Sequence, residues 1–126
     1  MAHLATVRAN GAPHIVPITF AIIGDQIAHM VDHKPKRTDH LQRLANVAAH
    51  PGVSVLTDNY DDDWSRLWWV RVDGPAQVVE TGPDWEAARA ALTAKYEQYT
   101  RLPPEGPAVL ILMERVSGWA AAAPPR

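Results

Sequence analysis

Residues 4–31, which read LATVRANGAPHIVPITFAIIGDQIAHMV, decide the fold of this chain. The stretch consists of β-branched, apolar runs that are interrupted by Asn10-Gly11 and Gly24-Asp25. Both dipeptides are typical of tight hairpin turns, because asparagine and glycine tolerate a positive φ. The pattern therefore predicts three consecutive antiparallel strands, at residues 4–8, 14–23 and 26–31. Pro17 interrupts the second strand and cannot donate a ladder hydrogen bond, which predicts an edge position or a bulge there.

The remainder of the chain adds two helices and three strands to this meander. Apolar residues recur at helical spacing over residues 39–49 and 83–99. Further strands are predicted at residues 53–57, 67–80 and 108–116, with a bend at Gly74-Pro75 in the long one. There is no βαβ alternation and no glycine-rich phosphate loop, which argues against a doubly wound fold. The sequence predicts a mainly β protein, a six-stranded antiparallel barrel with two inserted helices.

The bulk composition limits the class of protein. The 126 residues suit one domain, 1–126, and 47% of them are hydrophobic, which excludes a disordered chain. The net charge of −2 argues against a nucleic-acid-binding protein. The chain has no cysteine, which excludes thiolate catalysis and disulfides. We expect a cytoplasmic protein with no membrane segment, because no signal-peptide pattern and no long apolar run are present.

The segment His33-Lys34-Pro35-Lys36-Arg37-Thr38 is the strongest functional signal from the residues alone. It holds three fixed positive charges and a hydroxyl between a predicted strand and a predicted helix. Cations beside a helix N-terminus, with its free backbone N–H groups, are suited to holding an anion. The alternative is a basic loop that only contacts solvent, since such runs are common on surfaces.

Other chemical signals are weak. His29, Asp32 and His33 are close in sequence but lack a dedicated metal-ligand pattern, so we predict no metal site. The aspartates at 61–63 lack the glycine and the closing glutamate of an EF-hand loop and fit a solvated turn. No serine lies in a nucleophile-elbow setting, and no catalytic residue can be assigned. If the protein is an enzyme, a bound cofactor is expected to carry the chemistry.

Tryptophan is abundant, with five residues at positions 64, 68, 69, 85 and 119. Trp68 and Trp69 are adjacent on a predicted strand and must point to opposite faces. One can enter the barrel while the other faces outward. An outward tryptophan favours contact with a partner subunit.

The order of these features resembles the pyridoxamine-phosphate-oxidase-like split-barrel superfamily. Within it, the chain is most similar to the actinobacterial branch of deazaflavin (coenzyme F420)-dependent oxidoreductases. The resemblance covers residues 4 to about 119, and residues 32–44 and 58–74 carry it most specifically. Its elements are the Asn-Gly turn, Pro-Ile-Thr-Phe at 17–20, Lys-Pro-Lys-Arg-Thr at 34–38, His-Pro at 50–51 and Asp-Asp-Asp-Trp at 61–64.

This resemblance implies a homodimer of six-stranded, Greek-key split barrels with two cofactor sites at the subunit interface. It implies that the phosphate and tail of the cofactor bind the basic segment, and that the flat ring lies along the second strand. Family members usually carry a further helical segment, which often contributes a pocket wall, before the first strand; here Leu4 is already strand-like, which departs from that pattern. The implied cofactor-binding residues are Lys34, Lys36, Arg37 and Thr38 for the phosphate and tail, Pro17, Ile18 and Thr19 for the ring, and Trp64 and Arg66 near the cofactor or the interface, with Trp119 on position alone.

The leading hypothesis is thus an oxidoreductase that transfers a hydride between F420 and a small conjugated acceptor. An FMN-dependent enzyme of the same fold is an alternative, because both cofactors carry a phosphate. Two lysines and an arginine exceed what one phosphate requires, which favours a cofactor with an anionic tail. A second alternative is a non-enzymatic protein that binds F420, a flavin or haem; His14, His29 or His33 would then matter most for haem.

Overall fold

A computed structural model describes residues 1–32 and 38–121, with the backbone alone at 38–41. Within these residues there are eight strands, three α-helices and one 3-10 turn. The strands are β1 (Ala2–Val7), β2 (Pro13–Ile18), β3 (Ala21–Ile23), β4 (Gln26–Met30), β5 (Gly52–Asn59), β6 (Trp68–Val79), β7 (Ala108–Leu112) and β8 (Arg115–Ala120). The helices are α1 (Thr38–Ala49), α2 (Pro83–Lys95) and α3 (Glu97–Arg101), and the 3-10 turn is Trp64–Arg66.

All strand pairs are antiparallel and form one curled sheet. Its order is β2-β1-β5-β6-β7-β4-β3, and β8 pairs with β6. The two end strands, β2 and β3, follow each other in the chain with only Thr19 and Phe20 between them. The sheet must therefore curl back to its starting point. Pro17 lies on an end strand of this path, as its missing N–H predicts.

The six predicted strands are eight in the structure, because two of them change partner midway. The predicted strand 14–23 divides at Thr19-Phe20: β2 pairs with β1, whereas β3 pairs with β4. The predicted strand 108–116 divides into β7 and β8, which pair with the two halves of β6 on the same side. The predicted helix 83–99 also divides, because Tyr96 adopts an extended conformation (φ −113°, ψ 120°) between α2 and α3.

The core lies inside the curled sheet and beneath the two helical units. One apolar cluster fills the sheet, and a second joins α2 to β3, β4 and β7; their largest fully buried members include Leu4, Ile18, Met30, Leu92 and Ile111.

Helix α1 contacts β1 and β6 and inserts polar side chains against the sheet. Buried Asn46 donates through Nδ2 to Thr6 Oγ1 at 2.9 Å and accepts from Gln42 Nε2 at 2.5 Å. None of the described helices is both long and apolar enough to cross a bilayer.

Candidate functional site

The break between β2 and β3 lies within the predicted strand 14–23, along which the resemblance places the flat ring of a cofactor. Ile18 is the last residue of β2 and pairs with Ala2, and Ala21 is the first of β3 and pairs with Ala28. Thr19 and Phe20 between them belong to neither ladder. Backbone polar groups in a half-buried position need other partners, and here side chains from β4 and from the α2–α3 junction provide them.

His29 on β4 supports the backbone of Thr19. Its Nδ1 lies 3.1 Å from the Thr19 carbonyl oxygen, and its Nε2 lies 2.5 Å from the guanidinium of Arg43 on α1. A guanidinium can only donate hydrogen bonds, so Nε2 accepts and the ring proton lies on Nδ1. The neutral Nδ1–H then donates to Thr19. His29 and Arg43 are both buried, so these hydrogen bonds connect α1 and β4 to Thr19, directly after the end of β2.

Two tyrosines of the α2–α3 junction reach the same break. The hydroxyl of Tyr99 lies 2.9 Å from Thr19 Oγ1. The hydroxyl of Tyr96 accepts from the Phe20 N–H and donates to the Phe20 carbonyl oxygen, both at 3.1 Å. Burial raises the pKa of Tyr99 above its ordinary value; the hydrogen bond to Thr19 opposes this shift, and the negative charge of Asp32 adds to it. Tyr99 is thus held as the neutral phenol.

Asp32, whose negative charge adds to the raised pKa of Tyr99, is the residue directly before the basic segment in the sequence. Val31 is fixed by two backbone hydrogen bonds, one from its N–H to Pro107 and one to its carbonyl oxygen from Gly106, both 3.0 Å. The predicted phosphate residues Lys34, Lys36 and Arg37 lie outside the described residues, as does the side chain of Thr38, whose backbone begins α1.

The predicted ring residues differ in exposure: Pro17 and Ile18 lie at the end of β2, and Thr19 follows it. Pro17 is exposed on the outer surface of the sheet, opposite His3 of β1. Ile18 points inward and is buried in the core, so its side chain is not available to a ligand. Thr19 is half-buried in the hydrogen-bonded cluster just described.

The same outer surface carries a mostly apolar hollow of about 460 Å³. Its floor is the outward face of β1, β2, β5 and β6, where alternate residues project to one side. Trp69 and Arg71 lie at its edge, with the guanidinium 5.7 Å from the centre of the indole ring. The lining residues are His3, Ala5, Ile15, Ser54, Leu56, Asp58, Trp69 and Arg71.

Trp64 and Arg66 lie on the exposed 3-10 turn before β6 and do not line this hollow. The Trp64 side chain is 72% exposed. Arg66 contacts Asp61 at 3.6 Å, an exposed ion pair that contributes little to stability. Trp119 on β8 is directly opposite Trp69 and is half exposed.

The aspartates at 61–63 serve the turn itself. Asp63 caps the 3-10 turn by accepting from the Ser65 N–H and hydroxyl, and these bonds lower the pKa of Asp63. Asp61 accepts from the Asp63 N–H. Among the side chains that the structure describes, those of residues 1–32 and 42–121, no group of three or more histidine or acidic residues is placed to hold a metal ion.

Sequence reasoning missed the roles of Tyr96, Tyr99 and Arg71. Tyr96 has apolar neighbours at helical spacing, which indicated a packing role on one long helix. Its hydroxyl partner Phe20 is 76 residues away in sequence, and no local pattern reports such a contact. Arg71 and Trp69 alternate on β6, which did indicate a shared face but not the hollow beside it.

An antiparallel sheet that curls on itself, with one helix across it and two more packed on its second half, defines a split-barrel domain. The chain belongs to the pyridoxamine 5'-phosphate oxidase family, whose N-terminal family model matches residues 1–120. A comparison with curated proteins finds no match.

Solved structures share this fold at low sequence identity. The conserved hypothetical protein Rv2991 from Mycobacterium tuberculosis is 22% identical with a TM-score of 0.74, over 95% of this chain and 76% of that one. An FAD-binding protein from Mesorhizobium loti is 21% identical with a TM-score of 0.70, over 93% and 83%. HutZ, a haem storage protein from Vibrio cholerae, is 17% identical with a TM-score of 0.68, over 94% and 84%.

Proposed function

We propose that this protein is a cytoplasmic, F420-dependent oxidoreductase that transfers a hydride between the deazaflavin and a small conjugated acceptor. The supporting observation is the junction at Thr19. The end of the proposed ring strand is hydrogen-bonded to β4 and to Tyr99, and Asp32, whose charge helps raise the pKa of Tyr99, directly precedes the basic segment in the sequence. A ring site and an anion clamp would therefore adjoin each other.

The residues present fit a flat, anionic cofactor. Pro17 offers an exposed apolar surface on an end strand, beside the apolar hollow of the outer sheet. In this proposal Lys34, Lys36, Arg37 and Thr38 hold the phosphate and the anionic tail through charge-assisted hydrogen bonds. When bound, the cofactor supplies the hydride chemistry. The protein then contributes mainly orientation and the exclusion of water.

We propose in addition that the protein functions as a homodimer whose outer sheet faces form the interface and complete the cofactor sites. Ile15 and Trp119 are large apolar side chains that stay 64% and 50% exposed on or beside the hollow. Exposed apolar surface of this kind is typical of a protein interface. Trp64 and Arg66, which project from the adjacent turn, would contact the cofactor or the partner.

Two other functions are compatible with the same residues. An FMN-dependent enzyme of the same fold would use the same anion clamp. A protein that binds F420, a flavin or haem without turnover is supported by structural neighbours described as FAD-binding and haem storage proteins. Buried His14, whose Nδ1 has no hydrogen-bond partner among the described residues, is a further feature of that alternative.

Titration of the purified protein with F420, FMN, FAD and haem, followed by tryptophan fluorescence, tests the proposal. We expect F420 to bind, and Lys36→Ala or Arg37→Ala to weaken binding at least tenfold, since a charge-assisted contact contributes about 1.5–3 kcal/mol. Arg101→Ala is the matched control, because Arg101 is exposed on α3. Micromolar FMN binding without F420 binding would contradict the proposal. Binding of F420 without turnover over a broad acceptor panel would instead support the binding protein.

A further inference from the structure

We propose that the hydroxyl groups of Tyr96 and Tyr99 are positioning groups that fix the Thr19-Phe20 break and, through it, the strand proposed to carry the cofactor ring. The inference rests on the proposed function, because it concerns how that ring is held relative to the acceptor. It concerns two residues that do not themselves touch the ring.

Tyr96 replaces a missing strand neighbour at Phe20. In an antiparallel ladder, a neighbouring residue provides one acceptor and one donor. The single hydroxyl of Tyr96 does both, accepting from the Phe20 N–H and donating to the Phe20 carbonyl oxygen. Lys95 Nζ donates to the same carbonyl at 2.7 Å and lies 3.6 Å from the centre of the Phe20 ring. The backbone at Phe20 is therefore held from the helical side.

Tyr99 holds the residue before it. Its hydroxyl lies 2.9 Å from Thr19 Oγ1, while His29 of β4 donates to the Thr19 carbonyl oxygen. Thr19 is thus fixed through both its side chain and its backbone. Thr19 directly follows Ile18, the last residue of β2, and Pro17 directly precedes Ile18. Movement of the Thr19-Phe20 break would therefore move this end of β2.

The rings and the hydroxyls of the two tyrosines have separable roles. The rings pack edge to face, with centroids 5.8 Å apart, and contribute to the apolar cluster under α2. Within the described part of the chain, the hydrogen bonds of the two hydroxyls go to Thr19 and Phe20, the residues at which the ladders stop. A phenylalanine at either position keeps the packing of the ring and removes only the hydrogen bonds of the hydroxyl. Small displacements of reacting groups lower the rate of a transfer step more than they lower affinity.

The test is a double-mutant cycle in the full chain. Tyr99→Phe is made in the wild-type and in the Thr19→Val background, and F420 affinity, kcat and the urea midpoint are measured for each. We expect Tyr99→Phe to lower kcat about three- to tenfold in the wild-type background, as loss of one neutral hydrogen bond would, and to have no further effect in Thr19→Val. Tyr96→Phe should likewise lower kcat, with a smaller change in affinity.

Two controls separate positioning from other effects. Tyr60→Phe, at a tyrosine that is 80% exposed, should leave kcat and affinity unchanged. Lys36→Ala should weaken F420 binding with little change in kcat, whereas the tyrosine variants should lower kcat with a smaller change in affinity.

The other outcomes contradict either the positioning role or the proposed function. If Lys36→Ala weakens binding but both tyrosine variants keep wild-type kcat, the positioning role is wrong and the proposed function stands. The positioning role is also wrong if Tyr99→Phe has the same effect on kcat in both backgrounds, or if it lowers only the urea midpoint. If the wild-type protein does not bind F420, the proposed function fails, and the positioning role fails with it.

Discussion

Gly74 lies directly against the backbone of Leu112, so that a Cβ at Gly74 would be 1.9 Å from the Leu112 carbonyl oxygen. Gly74 is the point at which β6 passes from its pairing with β8 to its pairing with β7. Its backbone φ is not in the left-handed region, so the requirement for glycine is the close approach of two backbones. The turn of the sheet from one half to the other depends on this contact.

We predict that Gly74→Ala destabilises the protein by about 3 kcal/mol or more, because the methyl group meets backbone atoms that cannot move without breaking the ladder. Gly52→Ala is the matched control. Gly52 pairs with Pro75 nearby, but a Cβ there would meet nothing within 4 Å. Urea unfolding of the two variants checks the prediction, and equal midpoints would show that the sheet accommodates the methyl group.

Much of the fold could be predicted from local patterns. Gly11 and Gly24 have positive φ values of 90° and 59° at the two predicted turns, and the bend at Gly74-Pro75 lies where β6 changes partner. These features follow from the conformational range of single residues or from side-chain periodicity. The divisions at Thr19-Phe20 and at Tyr96 could not be predicted in the same way. They depend on hydrogen bonds between residues 76 to 80 positions apart in sequence.

Only part of the candidate site, too, could be predicted from the sequence. Thr19 was implied by resemblance, and the structure shows it in a hydrogen-bonded cluster with Tyr99 and His29. The apolar hollow beside Trp69 and Arg71 requires the register of β1, β2, β5 and β6 together. Register is set by the whole sheet, so no single strand of the sequence indicates this hollow.

We predict that Ser54→Ala lowers stability at neutral pH by about 1 kcal/mol, a value reduced from that of a buried charged hydrogen bond because the site is partly exposed. Ser54 Oγ donates to Asp73 Oδ1 at 2.5 Å, and this bond, with a smaller contribution from Arg71, lowers the pKa of Asp73. A carboxyl whose pKa is lowered in the folded state stabilises the fold at any pH above 3.8, its ordinary pKa. That stabilisation is lost as the pH falls through the lower pKa of the folded state.

The difference between wild type and Ser54→Ala should therefore be full at pH 7 and should shrink below pH 3.8. Urea midpoints at both ends of this range measure it. Ser117→Ala on β8 is the control, since the Ser117 side chain makes no hydrogen bond within the described part of the chain, and its stability difference from wild type should be small at either pH. A Ser54→Ala difference that stays constant with pH would show that Asp73 is not the group involved.

We predict that alkaline destabilisation of the protein depends on Tyr99. Its pKa is raised above 10.0, chiefly by burial, so the folded state retains the phenol proton after the unfolded chain has lost it. This contribution is fully present below pH 10.0 and is lost as the pH rises through the raised folded value. Thermal unfolding between pH 8 and 12 should show a smaller loss of stability in Tyr99→Phe than in wild type. Tyr60→Phe should reproduce the wild-type curve, and identical curves for all three proteins would contradict the prediction.

The proposed interface predicts a different behaviour for two isoleucines that are almost equally exposed. Ile15 lines the outer hollow, pairs with Ala5 and is 64% exposed, whereas Ile22 lies on β3, away from the hollow, and is 60% exposed. A charge at the centre of an apolar interface would be left unpaired and desolvated, which costs several kcal/mol in association. A charge at Ile22 would remain in solvent.

We therefore expect wild type and Ile22→Glu to sediment as dimers and Ile15→Glu as a monomer, with circular dichroism showing all three folded. Because the proposed cofactor sites need both subunits, Ile15→Glu should also lose F420 affinity by at least tenfold at protein concentrations where wild type is dimeric. A dimeric Ile15→Glu would exclude the outer sheet face as the interface. A monomeric Ile15→Glu with wild-type affinity would instead place the whole cofactor site within one subunit, since loss of the partner would then remove none of its contacts.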